Sequence, residues 1–330
     1  MARAIRRCGA SIFLCLAASF LVNTQGYALD KKTSYSLSHY IMGGVYDNLG
    51  DMGRAIKEYK QALKTDYSNS VIHLNLAYSY IKINQIQNAI DELGLAIKFN
   101  PQAVEPHAIL ALLYSAQDKN ELASSEYESA LKNASRLQPQ NPDIYKSLGA
   151  IYLQQKKFKE AEVSYRLVLN LTPDDPEAHL YLANIYDQLK DTQKAEEELK
   201  KALLVKPDYH QALNFLGYLY VEGDKNFDQA EAMIKKAMEL SPDNGAYIDS
   251  LGWLYFKKGK IKEALKELEQ ASLLMADPVI YDHLGDVYFK TEERDKAKLN
   301  WEKSLKLDPS REKVKQKLGD LKNVELSSPN

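Results

Sequence analysis

The stretch Leu148–Pro173, LGAIYLQQKKFKEAEVSYRLVLNLTP, carries the pattern from which the rest of the chain can be read. Gly149 stands three residues before Tyr152, Ala161 follows, Val168 comes seven residues later, and Pro173 closes the stretch. Apolar residues recur at helical spacing on both sides of a short polar joint, so the stretch reads as two helices linked by a tight turn and stopped by proline. Working outward, the tyrosine returns as Tyr46, Tyr80, Tyr114, Tyr152, Tyr186, Tyr220, Tyr255 and Tyr288, spaced by 34, 34, 38, 34, 34, 35 and 33 residues. Gly43, Ala77, Ala111, Gly149, Ala183, Gly217, Gly252 and Gly285 precede these tyrosines by three. Ala55, Ala89, Ala123, Ala161, Ala195, Ala230, Ala264 and Ala297 form a third series. Seven residues beyond them stand Ala62, Ala96, Ala130, Val168, Ala202, Ala237, Ala271 and Ser304.

The small residues let two helices approach closely, and the tyrosine supplies a large apolar surface with a polar tip. Turns such as Leu49-Gly50-Asp51 and Lys258-Gly259-Lys260 join the helices of a pair, and Pro101, Pro173, Pro207, Pro242 and Pro309 close most units. Asn141-Pro142, Asp175-Pro176 and Asp277-Pro278 read as an N-cap followed by proline in the first helical turn. A single hairpin cannot bury its own apolar face, so stacked neighbours must supply the core.

These series resemble the tetratricopeptide repeat family. The departures are Tyr67 where the first closing proline belongs, Val168 and Ser304 at the second alanine, and about four extra residues around Lys132–Gln140 in the third repeat. Tyr247–Trp253 and Tyr281–Asp286 are similar to segments of exported bacterial members. The resemblance implies an all-α, right-handed superhelical solenoid of eight helix-turn-helix repeats over residues 36–309. A capping helix over 310–323 and a loose tail over 324–330 complete the expected layout, with a short lead at 29–35 in front.

Residues 1–28 read as a secretory signal peptide: Arg3, Arg6 and Arg7, an apolar run from Cys8 to Val22, then Gly26-Tyr27-Ala28. The apolar run is 15 residues, short of the roughly 20 that span a bilayer as a helix. An anchor formed by an uncleaved N-terminal helix is the alternative. Cleavage after Ala28 removes both cysteines, Cys8 and Cys15, and takes the net charge from -2 to -5 as Lys+Arg falls from 43 to 40 against 45 acids. Cysteine chemistry, a zinc–thiolate site and nucleic-acid binding are therefore disfavoured. No apolar run outside 1–28 is long enough to span a membrane. The expected location is periplasmic or outer-membrane associated, with secretion as the other outcome of export.

No phosphate loop, dinucleotide fingerprint or His-Glu-x-x-His motif occurs, and no nucleophile stands with a base at recognisable spacing. The reading is of a non-catalytic chain without cofactor or metal. His39, His73, His107 and His179 share one position, four residues before the small residue. Successive copies lie a whole hairpin apart, roughly 10 Å for packed helices, whereas zinc takes its ligands at about 2 Å. They read as aromatic filler, and His210 and His283 are assigned no role. The basic C-terminal residues, including Arg311 and Lys317, read as a solvated face.

The resemblance also implies that a peptide or helix of a partner lies in a groove lined by the first helices. Its positions are three and two before the small residue, one after it, and four and five after it. Members that grip a C-terminal carboxylate need asparagines where this chain has Ala150 and Tyr181, although Lys146 is in place. In repeats six to eight the groove positions hold Asn214, Phe215, Tyr218, Asp249, Trp253, Phe256, Asp282, His283, Asp286 and Phe289. Aromatics interleaved with carboxylates suit a partner segment with apolar anchors and at least one Lys or Arg. Filling of the seam between helices is the competing role for the aromatics, and the first five repeats read chiefly as packing. The functional expectation is a scaffold or adaptor for an envelope assembly. A regulatory subunit docked on an envelope or secretion enzyme is the alternative.

Overall fold

The computed structural model describes residues 30–327, so the expected signal peptide lies outside the described residues. Seventeen helices follow one another, with no strand among the described residues. In chain order they are α1 Lys31–Asn48, α2 Met52–Leu63, α3 Ser70–Lys82, α4 Ile86–Phe99, α5 Val104–Ser115 and α6 Asn120–Leu137. Then come α7 Pro142–Gln154, α8 Phe158–Leu171, α9 Pro176–Gln188, α10 Thr192–Val205, α11 His210–Glu222 and α12 Phe227–Leu240. The last are α13 Gly245–Lys257, α14 Ile261–Leu274, α15 Pro278–Lys290, α16 Arg294–Leu307 and α17 Glu312–Ser327. Odd-numbered helices α1 to α15 are first helices of hairpins and even-numbered ones are second helices.

The chain divides into two compact units, one ending at Asn133 and one beginning at Ala134. Within each, first helices pack on their own second helices, as α3 on α4 and α13 on α14, and second helices pack on the next first helix, as α2 on α3 and α14 on α15. The core of the first unit gathers Ala55, Tyr59, Leu76, Ala77, Ala89 and Leu93. In the second unit Ala264, Leu268, Leu284, Ala297 and Trp301 do the same at its C-terminal end.

Where the small residue of a first helix is glycine, it faces a bulky side chain four residues beyond the alanine of the second helix. A Cβ on Gly149 would come within 2.5 Å of the Tyr165 ring, and one on Gly252 within 2.7 Å of Leu268 Cγ. Gly43 meets Tyr59, Gly217 meets Ile234 and Gly285 meets Trp301 in the same way. Each repeat tyrosine has a cation over its ring at 4.5–5.9 Å, from Arg54 on Tyr46 to Lys296 on Tyr288.

Every hairpin turn is built alike. Seven residues after the small residue stands one with positive φ: Gly50, Asn84, Asp118, Lys156, Lys190, Asp224, Gly259 or Glu292. The N–H that follows it donates to the carbonyl of the repeat tyrosine at 2.8–3.0 Å in all eight turns. This left-handed closure satisfies a carbonyl that the end of the first helix would otherwise leave open. The longer spacing between Tyr220 and Tyr255 arises because the sixth turn holds a second left-handed residue, Asn226 at φ 51°, at the N-cap of α12. The extra residues of the third repeat lengthen its second helix: α6 has 18 residues where its counterparts have 12 to 14. Four residues are close to one helical turn, so the added length keeps the same side of α6 inward.

The four repeat-position histidines are fasteners rather than filler. Nδ1 of His39, His73, His107 and His179 lies 2.5–2.6 Å from Glu58, Glu92, Glu126 and Glu198 respectively, each on the second helix of the same hairpin. After the eighth hairpin, α17 packs on α16 and buries Val314 and Leu321. It continues through Ser327, beyond the 323 expected from the sequence.

Candidate partner-binding groove

The groove positions of repeats six to eight fall on α11, α13 and α15, and the second unit brings most of them together. Trp253 is almost buried and stacks between two rings, His283 at 4.0 Å and 7° and Phe256 at 4.9 Å and 18°. Its Nε1 donates to Glu222 Oε1 at 2.6 Å. Asp249 is buried and meets His283 Nδ1 at 3.0 and 3.1 Å. Tyr218 tilts toward the same imidazole at 6.5 Å. Burial pushes its phenol up, Glu222, Asp249 and Asp187 push further, and Arg311 opposes them.

His283, to which the sequence assigns no role, is therefore the hub of this cluster. Burial works against its protonation, but Asp249, then Asp282 and Asp286, outweigh that and raise its affinity for a proton. The reason it escaped notice is distance along the chain. Its carboxylate partner is 34 residues away, in the preceding repeat. His210 is likewise partnered, with Nδ1 2.7 Å from the Tyr247 hydroxyl.

A second cluster forms where α15 meets α17. Lys317 Nζ donates to Asp282 at 2.7 Å and to both oxygens of Asp286 at 2.6 and 2.7 Å. Arg311 Nη2 donates to the other oxygen of Asp282 at 2.8 Å, and Trp301 Nε1 to Asp286 at 3.1 Å. Burial raises Asp282, but Lys317 and Arg311 prevail and hold its carboxyl below the usual range. In Asp286 burial wins despite Lys317, and the carboxyl is raised. Arg311 and Lys317 are thus not part of a purely solvated basic face. The chain itself supplies the cations that its sequence suggests a partner would bring to these two acids.

Of the remaining predicted residues, Phe289 is the most open, 46% exposed at the edge of Trp301. Asn214 is half-buried, and its Oδ1 is buried without a donor. Lys146 is taken by Asp175 at 2.6 Å and Glu177 at 3.0 Å. An open cleft on the first-helix face lies in earlier repeats. A cleft of about 250 Å³ is lined by Leu153 of α7, Leu180, Tyr181 and Asn184 of α9, and Gln211 and Phe215 of α11. All six belong to first helices of repeats four to six, two of which read from sequence chiefly as packing. Tyr181 is fixed there by stacking on the buried Tyr165 at 4.8 Å and 16°. No helix of the described residues is long and apolar enough to cross a membrane.

Residues 21–246 match the family profile of the cilia and flagella-associated protein 70 C-terminal domain, and residues 223–284 and 279–311 match tetratricopeptide repeat profiles. The chain is 32% identical over 97 residues to an uncharacterized protein of Haemophilus influenzae, covering 29% of this chain and 52% of that one. It is 28% identical over 102 residues to the type IV pilus assembly protein PilF of Pseudomonas aeruginosa, covering 30% and 39%. Both matches thus take in only about half or less of those relatives. Among solved structures, the Cut9 and Hcn1 hetero-tetramer of the APC/C is similar at TM-score 0.55 and 16% identity, over 88% of this chain and 70% of that one. Eight hairpins with one shared turn, a small-to-large contact at the five glycine positions and these matches place the chain in the tetratricopeptide repeat family.

Proposed function

We propose that the protein is an exported adaptor that holds a peptide or helix of another protein against the first-helix face of its hairpins. Tetratricopeptide arrays are protein-interaction scaffolds, and the fold is generally non-catalytic. The observation that carries the finer reading is the cleft of repeats four to six, open among first helices alone and flanked by the half-exposed rings of Tyr181 and Phe215. Apolar surface left open in a concave site is the usual mark of a binding position. Export is supported by the basic head and apolar run of residues 1–28. The stretch shared with a pilus assembly protein adds support for a role in the cell envelope.

The test has two parts. Fractionation followed by N-terminal sequencing should find the protein outside the cytoplasm, beginning at Leu29; retention of the intact chain in the cytoplasm overturns export. A photo-crosslinking amino acid at Asn184, exposed on the cleft, should trap a protein from the native envelope fraction, and the same group at Glu197 on the second helix α10 should not. Trapping from Glu197 alone places the binding face on the second helices. Recovery of an enzyme from Asn184 assigns the chain as its docked subunit.

A further inference from the structure

The cleft of repeats four to six is smaller than the roughly 300–1,000 Å³ of small-molecule pockets, and at about 250 Å³ it suits one large side chain. Four of its six lining residues are apolar, and the two amides, Asn184 and Gln211, are exposed and able to bond a peptide backbone. One turn beyond Asn184 on α9 stands Asp187, and one and two turns beyond Phe215 on α11 stand Tyr218 and Glu222. At 1.5 Å rise per residue these carboxylates lie about 5–10 Å further along the groove.

Among the described residues no cation forms an ion pair with either of them. Asp249 has His283, Asp282 and Asp286 have Arg311 and Lys317, and Asp224 has Lys257. The Asp187 carboxylate, half-buried, has neither a hydrogen bond nor an ion pair among the described residues. Glu222 accepts the Trp253 N–H but meets no cation. Burial, with Glu222 adding to it against Lys190, raises the Asp187 carboxyl. Asn214 Oδ1, on α11 one turn before Tyr218, is another acceptor without a donor. The unfilled groups of this strip accept hydrogen bonds or carry negative charge, and the one cation that acts on Asp187, Lys190, makes no ion pair with it and is outweighed by burial and Glu222.

We propose that the bound segment is an extended peptide that puts an apolar side chain into the Leu153–Leu180–Tyr181–Phe215 cleft and a lysine or arginine against Asp187 and Glu222. An extended chain advances about 3.3 Å per residue, so the two side chains stand two or three residues apart. This rests on the groove reading above and moves the recognition point from repeats six to eight to repeats four to six.

The experiment is a selection of unconstrained random 12-residue peptides displayed on phage against the mature chain. The enriched peptides should carry Leu, Ile, Phe or Met two or three residues from Lys or Arg. The strongest, synthesised and measured by fluorescence anisotropy, should bind at least tenfold more weakly to the Asp187→Asn, Glu222→Gln double variant and lose most of its salt dependence there. Asp187→Lys with Glu222→Lys should enrich acidic residues at the same spacing instead. Circular dichroism and melting of each variant confirm that it is folded; a variant that is not is replaced by Glu222→Gln alone, whose carboxylate is exposed. Peptides that crosslink to Asn184 but show no basic position, or bind the double variant equally, overturn this proposal and leave the groove reading standing. Peptides that crosslink only to second helices, or an absence of enrichment, overturn both.

Discussion

His283 and Asp249 lie 34 residues apart in the chain and 3.0 Å apart in the fold, with the Trp253 ring stacked on the imidazole. A protonated imidazole is favoured by both neighbours, the carboxylate by charge and the indole face by its quadrupole. Because the folded protein raises the proton affinity of His283 above the ordinary value near 6.5, the pair stabilises fully below that pH. The contribution is lost as pH rises through the higher folded value. The melting temperature should therefore fall as pH rises above about 6.5, and His283→Gln should flatten that fall. In a Trp301→Phe background, emission from Trp253 should follow the same titration. A pH profile unchanged by His283→Gln would show that the imidazole is not charged in the folded protein. None of this cluster is visible in a single repeat, since position counting gives each residue a face but not the neighbour it meets. The histidine fasteners are a different case. Glu58, Glu92, Glu126 and Glu198 stand in the same four repeats as His39, His73, His107 and His179, always 19 residues on. Repeats four, six and eight instead pair Tyr145 with Ser164, Leu213 with Met233 and Tyr281 with Asn300 at those positions, and repeat seven alone keeps a glutamate, Glu267, without the histidine. That internal covariation was legible, and comparing repeats column by column would have shown it.

At the scale of the element, the hairpin turn demands one residue with positive φ, yet only Gly50 and Gly259 supply glycine there. Lys156, Lys190 and Glu292 accept a conformation costing a residue with a Cβ about 1–2 kcal/mol. Glycine restores that but loses about 0.5–1 kcal/mol in backbone entropy. Glu292→Gly should therefore stabilise by about 0.5–1 kcal/mol, read as a higher denaturation midpoint in urea. A lower midpoint would show that the Glu292 side chain contributes more than its backbone costs. The turns and helices were readable because glycine, proline and apolar spacing act locally. The depth of each small position was readable too, as the repeated glycine or alanine before the tyrosine. What escaped was the open cleft, because Leu153, Leu180 and Phe215 have the same apolar character whether a neighbour covers them or not.

For the molecule as a whole, the last helix does more than cover an apolar end. Lys317 reaches back to Asp282 and Asp286 in the final hairpin, so α17 carries charge that those carboxylates require. Lys317→Met should cost about 1–3 kcal/mol at neutral pH. That is less than the ~3–5 kcal/mol for breaking a fully buried pair, since 30% of the Lys317 side chain is exposed and Arg311 still holds Asp282. Asp282, held below its ordinary value, contributes stability present above about pH 4 and lost as pH falls through its folded value. The gap between Lys317→Met and the parent should therefore narrow in acid, measured by chemical denaturation at pH 7 and well below pH 4. A gap independent of pH would assign the loss to packing by the lysine stem.

The contact between each small-position glycine and its bulky opposite has a consequence for how such a chain finds its structure. Eight similar hairpins invite a folding error in which a first helix docks on the second helix of another unit. Glycine stands opposite Tyr59, Tyr165 and Trp301. By the same count alanine in Ala77 and Ala183 stands opposite Leu93 and Leu199. Exchanging partners would press the methyl group of Ala77 or Ala183 into the ring that Gly43, Gly149 or Gly285 clears, whereas Gly217 and Gly252 face the aliphatic Ile234 and Leu268. The irregular sizes at an otherwise uniform position work as a partial address label, barring an alanine helix from the near-identical siblings whose ring needs a glycine.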